Sequence, residues 1–259
     1  MHLSFNAAAM ATIFLVAHAA AVATQGTRAT CGSGNLDLSK WKLQLPTGTP
    51  GHPTEISPSE LCDGYSSEFF YMQDDALVMK VPGGPSSGKC VTTPNSKHCR
   101  TELREVKPAS WNPRAKTNRL VGELKVTQND GEICIGQIHI DDSISTKPVA
   151  ELYYNARGGL SMGVNTCRTC TQKRTPIDNV PKGQRFSYEI RYEGNKLSVS
   201  INGKAFKTLS TYNLDAPKSY FKAGNYNQKD VPTTVQFYKI QTSHSSHVVD
   251  GTRHGLFRG

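Results

Sequence analysis

Short segments in which apolar and polar residues alternate recur along most of this sequence, and they constrain the fold more than any other feature. Clusters of Gly, Pro, Asn and Asp separate them. The segments span residues 41–45, 76–81, 100–106, 119–126, 131–140, 150–155, 186–192, 196–201, 205–209, 220–226 and 234–242. No segment keeps a helical period over about ten residues. The pattern therefore predicts an all-β fold, an antiparallel β-sandwich of the jelly-roll type.

The N-terminus has the features of a secretory signal. Residues 7–23 are almost wholly apolar or small, and Ala21-Val22-Ala23 fits the small-x-small pattern of a cleavage site. The run is too short and too rich in alanine for a membrane span, which needs about 20 strongly apolar residues. We therefore expect a signal peptide over residues 1–23 and a secreted, extracellular protein.

The rest of the chain has the length of one β-sandwich domain. We expect a loose lead-in over residues 24–34, the domain over 35–244 and a disordered tail over 245–259. The segments 82–88 and 166–182 are interpreted as long loops of the kind that form walls or lids beside a groove. The C-terminal histidines are interpreted as tail residues rather than metal ligands; they are His244, His247 and His254.

The charge balance favours a polyanionic partner. The sequence has 30 Lys and Arg against 21 Asp and Glu, a net charge of +9, which suits nucleic acid, acidic polysaccharide or anionic lipid. It contains no run of three or more consecutive Lys or Arg residues and no helix-turn-helix or zinc-finger spacing. Because a secreted protein rarely meets nucleic acid, an acidic glycan is the expected partner. We expect a monomer that binds neither nucleic acid nor a membrane.

The sequence contains seven cysteines, which in a secreted chain indicates disulfides with one thiol left over. Cys134 is the expected free thiol, because it falls on the apolar side of its segment. The six others form three candidate pairs: Cys31 with Cys62, Cys90 with Cys99, and Cys167 with Cys170. The second pair would close a loop just before Arg100 and hold that residue in place. For the third pair, a local disulfide is favoured over a redox site or half of a zinc site.

The segment 220–228 separates polar from apolar residues with the two-residue period of a strand. Phe221 and Ala223 fall on one side. The opposite side, in which Gly224 leaves a gap, carries Tyr220, Lys222, Tyr226 and Gln228. Alone, this polar side is as typical of a solvated sheet surface as of the floor of a binding cleft.

Two further segments each have one polar side. Residues 100–105 present Arg100, Glu102 and Arg104, and residues 133–140 present Gln137 and His139. The combined guanidinium, carboxamide, imidazole, ammonium and phenol groups suit a carboxylated sugar better than a random surface. The alternatives are a surface ion-pair ladder for the charged residues and a hydrogen-bonded, non-catalytic role for the histidine.

These three segments carry a family resemblance. Arg-Thr-Glu-Leu-Arg-Glu (100–105), Gln-Ile-His (137–139) and Tyr-Phe-Lys-Ala-Gly-Asn-Tyr-Asn-Gln (220–228) resemble the three signature blocks of alginate lyases of polysaccharide lyase family seven, in the family's order. The similarity extends from about residue 36 to residue 244. It implies a β-jelly roll whose concave sheet forms the substrate groove, and an enzyme that cleaves poly-mannuronate and poly-guluronate by β-elimination.

A lyase that acts on a polyuronate must remove the C5 proton beside a carboxylate and expel the C4 oxygen. Arg100 and Gln137 suit neutralisation of the carboxylate, and His139 and Tyr226 are candidates for base and acid. The resemblance implies that these four residues are catalytic. It also implies that Tyr226 serves as base and acid on mannuronate, whereas His139 is the base on guluronate. The implied substrate-binding residues are Glu102, Arg104, Tyr220, Lys222, Asn225 and Gln228.

Strict alternation conflicts with one of these roles, because it turns Asn225 towards the core. Neither a cofactor nor a metal is expected, since no His, Asp and Glu cluster has metal-ligand spacing. A glycoside hydrolase is disfavoured because its chemistry needs two carboxylates, and Glu102 is the only acidic residue on the three polar sides. A glucuronan lyase and a non-catalytic glycan-binding module remain alternatives.

Overall fold

The computed structural model describes Cys31 and residues 34–245. The expected signal peptide, most of the lead-in and most of the tail lie outside these residues. The strands are β1 (Trp41–Thr49), β2 (His52–Ile56), β3 (Phe70–Gln73), β4 (Ala76–Val81), β5 (Arg100–Glu105), β6 (Asn118–Asn129), β7 (Glu132–Ile140), β8 (Pro148–Asn155), β9 (Gly159–Asn165), β10 (Gln172–Asn179), β11 (Arg185–Glu193), β12 (Lys196–Ile201), β13 (Lys207–Leu209), β14 (Ser219–Asn227) and β15 (Thr233–His244). The described helices are α1 (Pro58–Cys62) and a 3-10 turn (Pro85–Ser87).

The strands form two antiparallel sheets. One has eight strands in the order β10-β9-β8-β7-β14-β5-β1-β2, and the other has seven in the order β13-β12-β11-β6-β15-β4-β3. The β-sandwich predicted from the sequence is confirmed. Because β14 lies between β5 and β7, the three segments with a polar side are adjacent strands in the middle of one sheet.

The core lies between the two sheets. The three long strands of the seven-stranded sheet, β6, β11 and β15, mostly alternate between buried and partly exposed residues, because only one of their faces packs inward. Side chains also connect the sheets by hydrogen bonds. The Tyr188 hydroxyl donates to the Ile135 carbonyl over 2.9 Å, and the Thr101 hydroxyl donates to the Lys80 carbonyl over 2.6 Å. These bonds satisfy polar groups that the sandwich buries.

Four strands were not predicted from the alternating pattern: β2, β3, β9 and β10. The interpretation of residues 166–182 as one long loop is wrong, because β10 occupies much of this segment and pairs with β9. As the edge strand of its sheet, β10 keeps most of its side chains at least partly exposed. Such a strand has no need for alternating apolar residues, so its sequence gives no periodic signal.

Three disulfides link Cys31 to Cys62, Cys90 to Cys99 and Cys167 to Cys170. These are the pairs considered from the sequence. Cys134 is buried and free, as predicted. Within the described residues, no helix is long and apolar enough to cross a membrane.

The interpretation of His244 as a tail residue is wrong. It ends β15, and its ring nitrogens lie 2.8 Å from Glu105 Oε1 and 2.9 Å from Asn118 Oδ1. Its ring also packs on Trp111 and Phe221. The sequence after residue 242 offers no apolar alternation, so only the tertiary partners reveal that the strand continues. His247 and His254 lie outside the described residues.

Candidate active site

A cleft of about 370 Å³ lies over the middle of the eight-stranded sheet. Its floor is formed by β5, β14 and β7, and the strand register places distant residues side by side. Lys222 is the cross-strand partner of Arg104 on one side and of Gln137 on the other, while Tyr220 faces His139. Each strand contributes one face to the cleft and one to the core.

Gly224 allows β14 to approach β5 closely at the centre of the cleft. Its φ is +156°, and a Cβ at this position would lie 2.6 Å from the Thr101 carbonyl oxygen and 2.7 Å from Glu102 Cα. Any other residue would push the strands apart. The gap that the sequence shows among the polar residues of 220–228 is therefore the place where the strand opposes Glu102.

Glu102 connects the charged groups of the cleft. Its carboxylate is 1% exposed and accepts from Gln137 Nε2 over 2.6 Å, from Lys222 Nζ over 2.9 Å and from Arg100 Nη1 over 3.2 Å. Burial acts to raise the pKa of Glu102, but Lys222 and Arg100 together outweigh it, so the pKa lies below its ordinary value. The carboxylate is thus ionised and holds three donors in one place.

Tyr226 and Arg100 form a second unit. The guanidinium carbon lies 3.8 Å from the centre of the phenol ring, a cation–π distance. Ser96 Oγ lies 3.1 Å from the phenol oxygen and accepts from Arg100 Nη2 over 3.0 Å. Burial raises the pKa of Tyr226, against the opposing effects of Arg100 and Ser96. The phenol is therefore protonated at neutral pH.

His139 is held as a neutral imidazole. Its Nδ1 lies 2.8 Å from the Ile140 carbonyl oxygen, and because a carbonyl only accepts, Nδ1 carries the proton and Nε2 keeps its lone pair. Burial lowers the pKa of His139 to about 4, and the Lys222 ammonium acts in the same direction. The ring stacks on Tyr220 with 5.1 Å between the ring centres. At neutral pH the ring is therefore unprotonated, and its Nε2 can accept a proton.

Asp142 organises one end of the cleft. Its carboxylate pairs with Arg104 Nη2 over 2.8 Å and accepts from the Tyr220 hydroxyl over 2.9 Å. The Arg104 guanidinium in turn lies 4.2 Å from the Tyr220 ring centre. Asp142 follows the end of β7, where no alternation indicates which way it points, so sequence reasoning missed it.

Sequence reasoning also missed Glu151 and Ser96. Glu151 lies on β8 opposite Gln137 and accepts hydrogen bonds from Tyr153 and Gln172. Burial raises the pKa of Glu151, although these two donors oppose the effect. The available signal was its polar position in a predicted strand, but the register that brings β8 beside β7 is not readable from the chain. Ser96 lies in the loop that the Cys90–Cys99 disulfide closes.

Eight of the ten residues singled out for catalysis or substrate binding line the cleft: Arg100, Glu102, Arg104, Gln137, His139, Tyr220, Lys222 and Tyr226. Two are placed elsewhere. Asn225 is fully buried on the core side, where its amide donates to the Met79 and Thr233 carbonyls, so its expected substrate contact is wrong and alternation was right. Gln228 follows the end of β14 and donates to the Tyr226 carbonyl rather than lining the cleft. Among the described residues, no three His, Cys, Asp or Glu side chains are grouped to hold a metal.

Comparison with known proteins agrees with this geometry. A family model described as alginate lyase matches residues 36–244. The crystal structure of alginate lyase A1-II', a member of polysaccharide lyase family-7, is 30% identical with a TM-score of 0.70, covering 82% of this chain and 97% of that one. An alginate lyase structure from Pseudomonas aeruginosa is also 30% identical, with a TM-score of 0.70 and coverage of 81% and 100%.

A curated alginate lyase from Klebsiella pneumoniae is 25% identical over 90% of this chain and 95% of its own length. The solved structures share the β-sandwich, and the matched region contains β1 to β15 and every cleft residue described above. The chain belongs to the alginate lyase family.

Proposed function

We propose that this protein is a secreted lyase of polysaccharide lyase family seven that cleaves alginate by β-elimination and leaves unsaturated uronyl ends. One observation carries the proposal. A guanidinium and a carboxamide anchored on one carboxylate lie in the same cleft as a neutral imidazole and a protonated phenol. These are the groups that elimination beside a carboxylate requires.

The first step is neutralisation of the uronate carboxylate, because a neighbouring negative charge makes the C5 proton poorly acidic. We assign Arg100 and Gln137 to this role. Both side chains donate a hydrogen bond to Glu102, which fixes their orientation. A buried donor that is already oriented stabilises a developing oxyanion more than a mobile donor does. Lys222 and Arg104 add positive charge on the same floor.

The second step is transfer of two protons. A base takes the C5 proton, the electron pair forms the C4–C5 double bond by way of an enolate-like intermediate, and the C4–O bond breaks. The leaving oxygen takes a proton from an acid, and Tyr226 suits that role because its phenol is protonated. His139 suits the role of base because its Nε2 has a free lone pair.

The sugar determines which base acts. In guluronate the proton and the leaving group lie on opposite sides, so His139 takes the proton and Tyr226 donates one. In mannuronate they lie on the same side, so the phenolate form of Tyr226 takes the C5 proton as base, and the phenol that results donates this proton to the leaving oxygen as acid. Both blocks are proposed substrates.

Complexes of a relative support the substrate class. Alginate lyase A1-II' has been crystallised with a product written GGG and with a substrate written GGMG. The protein in the substrate complex carries two substitutions, one histidine to asparagine and one tyrosine to phenylalanine. A histidine and a tyrosine are also the proposed base and acid of this chain.

Secretion is supported by residues 7–23, which resemble a signal peptide, and by three disulfides, which persist in oxidising compartments. Expression of the full chain in a secreting host tests it. We expect the protein in the medium to begin at Thr24. Retention of residues 1–23 in a protein that stays inside the cell would contradict the proposal.

Three polymers test the reaction. Polymannuronate, polyguluronate and polyglucuronate are incubated separately with the mature protein while the ultraviolet absorbance of the unsaturated product is followed. We expect a signal with the first two. A signal only with polyglucuronate would indicate a glucuronan lyase, and new reducing ends without absorbance would indicate hydrolysis.

The Tyr226→Phe variant tests the assigned acid. We expect a loss of at least about 1000-fold in kcat, because the phenol proton has no substitute at the leaving oxygen. Tyr238→Phe is the matched control, since Tyr238 lies on the other sheet and its hydroxyl contacts Gln236. Full activity of Tyr226→Phe would refute the role of the phenol.

A further inference from the structure

Ser96 has more hydrogen-bond partners than a hydroxyl can serve at once. Its Oγ lies 3.0 Å from Arg100 Nη2, 3.2 Å from the His98 backbone nitrogen, 3.1 Å from the His98 carbonyl oxygen and 3.1 Å from the Tyr226 hydroxyl. A serine hydroxyl has one proton to donate and two lone pairs that accept. The chemistry of each partner therefore decides how the four contacts are shared.

Two partners can only donate. The Arg100 guanidinium and the His98 backbone N–H have no acceptor, so they occupy both lone pairs of Ser96 Oγ. The hydroxyl can then accept nothing from Tyr226. Its single proton has two possible acceptors, the His98 carbonyl oxygen and the phenol oxygen.

We propose that Ser96 is a positioning residue for Tyr226: it leaves the phenol proton free to point into the cleft and donates to the phenol oxygen once that proton has been transferred. This inference rests on the proposed role of Tyr226 as proton donor. While the phenol is protonated, the serine proton goes to the His98 carbonyl. When proton transfer to the leaving oxygen leaves a phenolate, that oxygen becomes the stronger acceptor and the serine proton turns to it.

The loop that carries Ser96 is fixed at both ends. The Cys90–Cys99 disulfide closes it next to Arg100, so the hydroxyl is held beside two of the proposed catalytic groups. Because the Ser96 oxygen is already in place, only its proton has to turn when charge develops on the phenol oxygen. The expected contribution is to kcat rather than to substrate binding.

Three variants test the inference: Ser96→Ala, Ser96→Thr and Ser87→Ala. Ser96→Ala should lower kcat by about 10- to 100-fold on both alginate blocks, with KM within about threefold of the native value. Ser96→Thr keeps the hydroxyl at a partly exposed position and should restore kcat to within about threefold. Ser87→Ala removes a hydroxyl that donates to the Gly84 carbonyl away from the cleft and should behave as the native protein.

The outcomes separate this inference from the proposed function. Native kcat in Ser96→Ala, an effect confined to KM, or equal losses in the alanine and threonine variants would each overturn the role of Ser96. Tyr226→Phe is measured in parallel. If it is inactive while Ser96→Ala is fully active, only the inference about Ser96 fails. If Tyr226→Phe keeps full activity, the assigned acid fails first.

Discussion

Glu102 and Glu105 lie three residues apart on β5, and their carboxylates point to opposite faces of the sheet. Both are buried, at 1% and 0% exposure, and both accept from three donors. The donors of Glu102 are cleft side chains. Those of Glu105 are Trp111 Nε1, the Phe221 backbone nitrogen and His244 Nε2. A buried carboxylate with three donors therefore positions the active-site side chains on one face of the sheet, and a second one joins the two sheets on the other face.

The two networks differ in whether a substrate can reach their hydrogen-bond donors. Glu102 stands at the floor of an open cleft, where a substrate carboxylate can compete for the same cations. Glu105 has no such access, because its partners are the core rings of Trp111, Phe221 and His244. We therefore expect a change at Glu102 to appear in catalysis and the same change at Glu105 to appear in stability.

The largest expected effect is that of Glu102→Gln. Replacing one carboxylate oxygen by an NH₂ group places a donor against a donor and removes the charge between Arg100 and Lys222. We expect kcat/KM to fall by about 100-fold or more. Glu55→Gln is the control, since Glu55 pairs with Lys42 at the exposed cleft edge, and it should cost less than about threefold. Equal losses in both variants would break the comparison.

The same substitution at Glu105 should act on folding. The amide oxygen can keep the Trp111 indole and the Phe221 backbone N–H, which share one carboxylate oxygen, while the NH₂ group faces His244 Nε2. All three charge-assisted bonds become neutral ones, and we expect the free energy of unfolding to fall by about 2 kcal/mol. Activity per folded molecule should stay within about threefold. Urea unfolding with Glu123→Gln as control measures this, because Glu123 holds an exposed pair with Arg185. A large activity loss without destabilisation would contradict it.

Mild acid should lower the free energy of unfolding through His139, which lies in the cleft. Its pKa falls from an ordinary value of 6.5 to about 4, so the unfolded chain binds more protons between these values. The stabilisation is present above pH 6.5 and is lost as pH falls towards 4. Between pH 7.5 and 5 the loss is about 2 kcal/mol. Comparing urea unfolding of the native protein and His139→Asn at both pH values measures it, and an equal loss in the two proteins would contradict the assignment.

The smallest expected effect is that of Asp142→Asn. The substitution weakens the ion pair with Arg104, and the Asp142 side chain is 51% exposed, so solvent already screens the interaction. We expect KM to rise about three- to tenfold, because Arg104 loses its orientation, with little change in kcat or stability. Asp215→Asn is the control, since its ion pairs with Arg114 and Arg168 are exposed. If the substitution lowers kcat more than it raises KM, the prediction is wrong and Asp142 takes part in the chemical step.

Much of this site was predictable because the alternation of polar and apolar residues in a strand indicates which side chains share a face. Alternation alone separated Arg100 and Glu102 from the core residues between and beside them, and it placed Asn225 correctly where the family resemblance did not. The three sequence blocks then indicated which strands belong together. Edge strands such as β10 gave no signal, because exposure on both faces removes the need for a pattern.

The rest depends on partners that alternation does not reveal. Glu102 could be placed in the cleft, but its role as a common acceptor follows from the register of β5, β14 and β7. Asp142 and Ser96 lie in connections, where no period applies. His244 was misread because its stabilising contacts are with Glu105 and Asn118, both more than 100 residues earlier in the chain.

The position of β14 has a consequence for how the protein comes into being. This strand is synthesised after most of the domain, yet it fits between two strands made long before it. A nascent chain that has not yet reached residue 227 leaves the facing edges of β5 and β7 without a partner. Enzymatic competence therefore arises late in synthesis, because a chain that ends before this strand lacks the middle strand of the cleft floor.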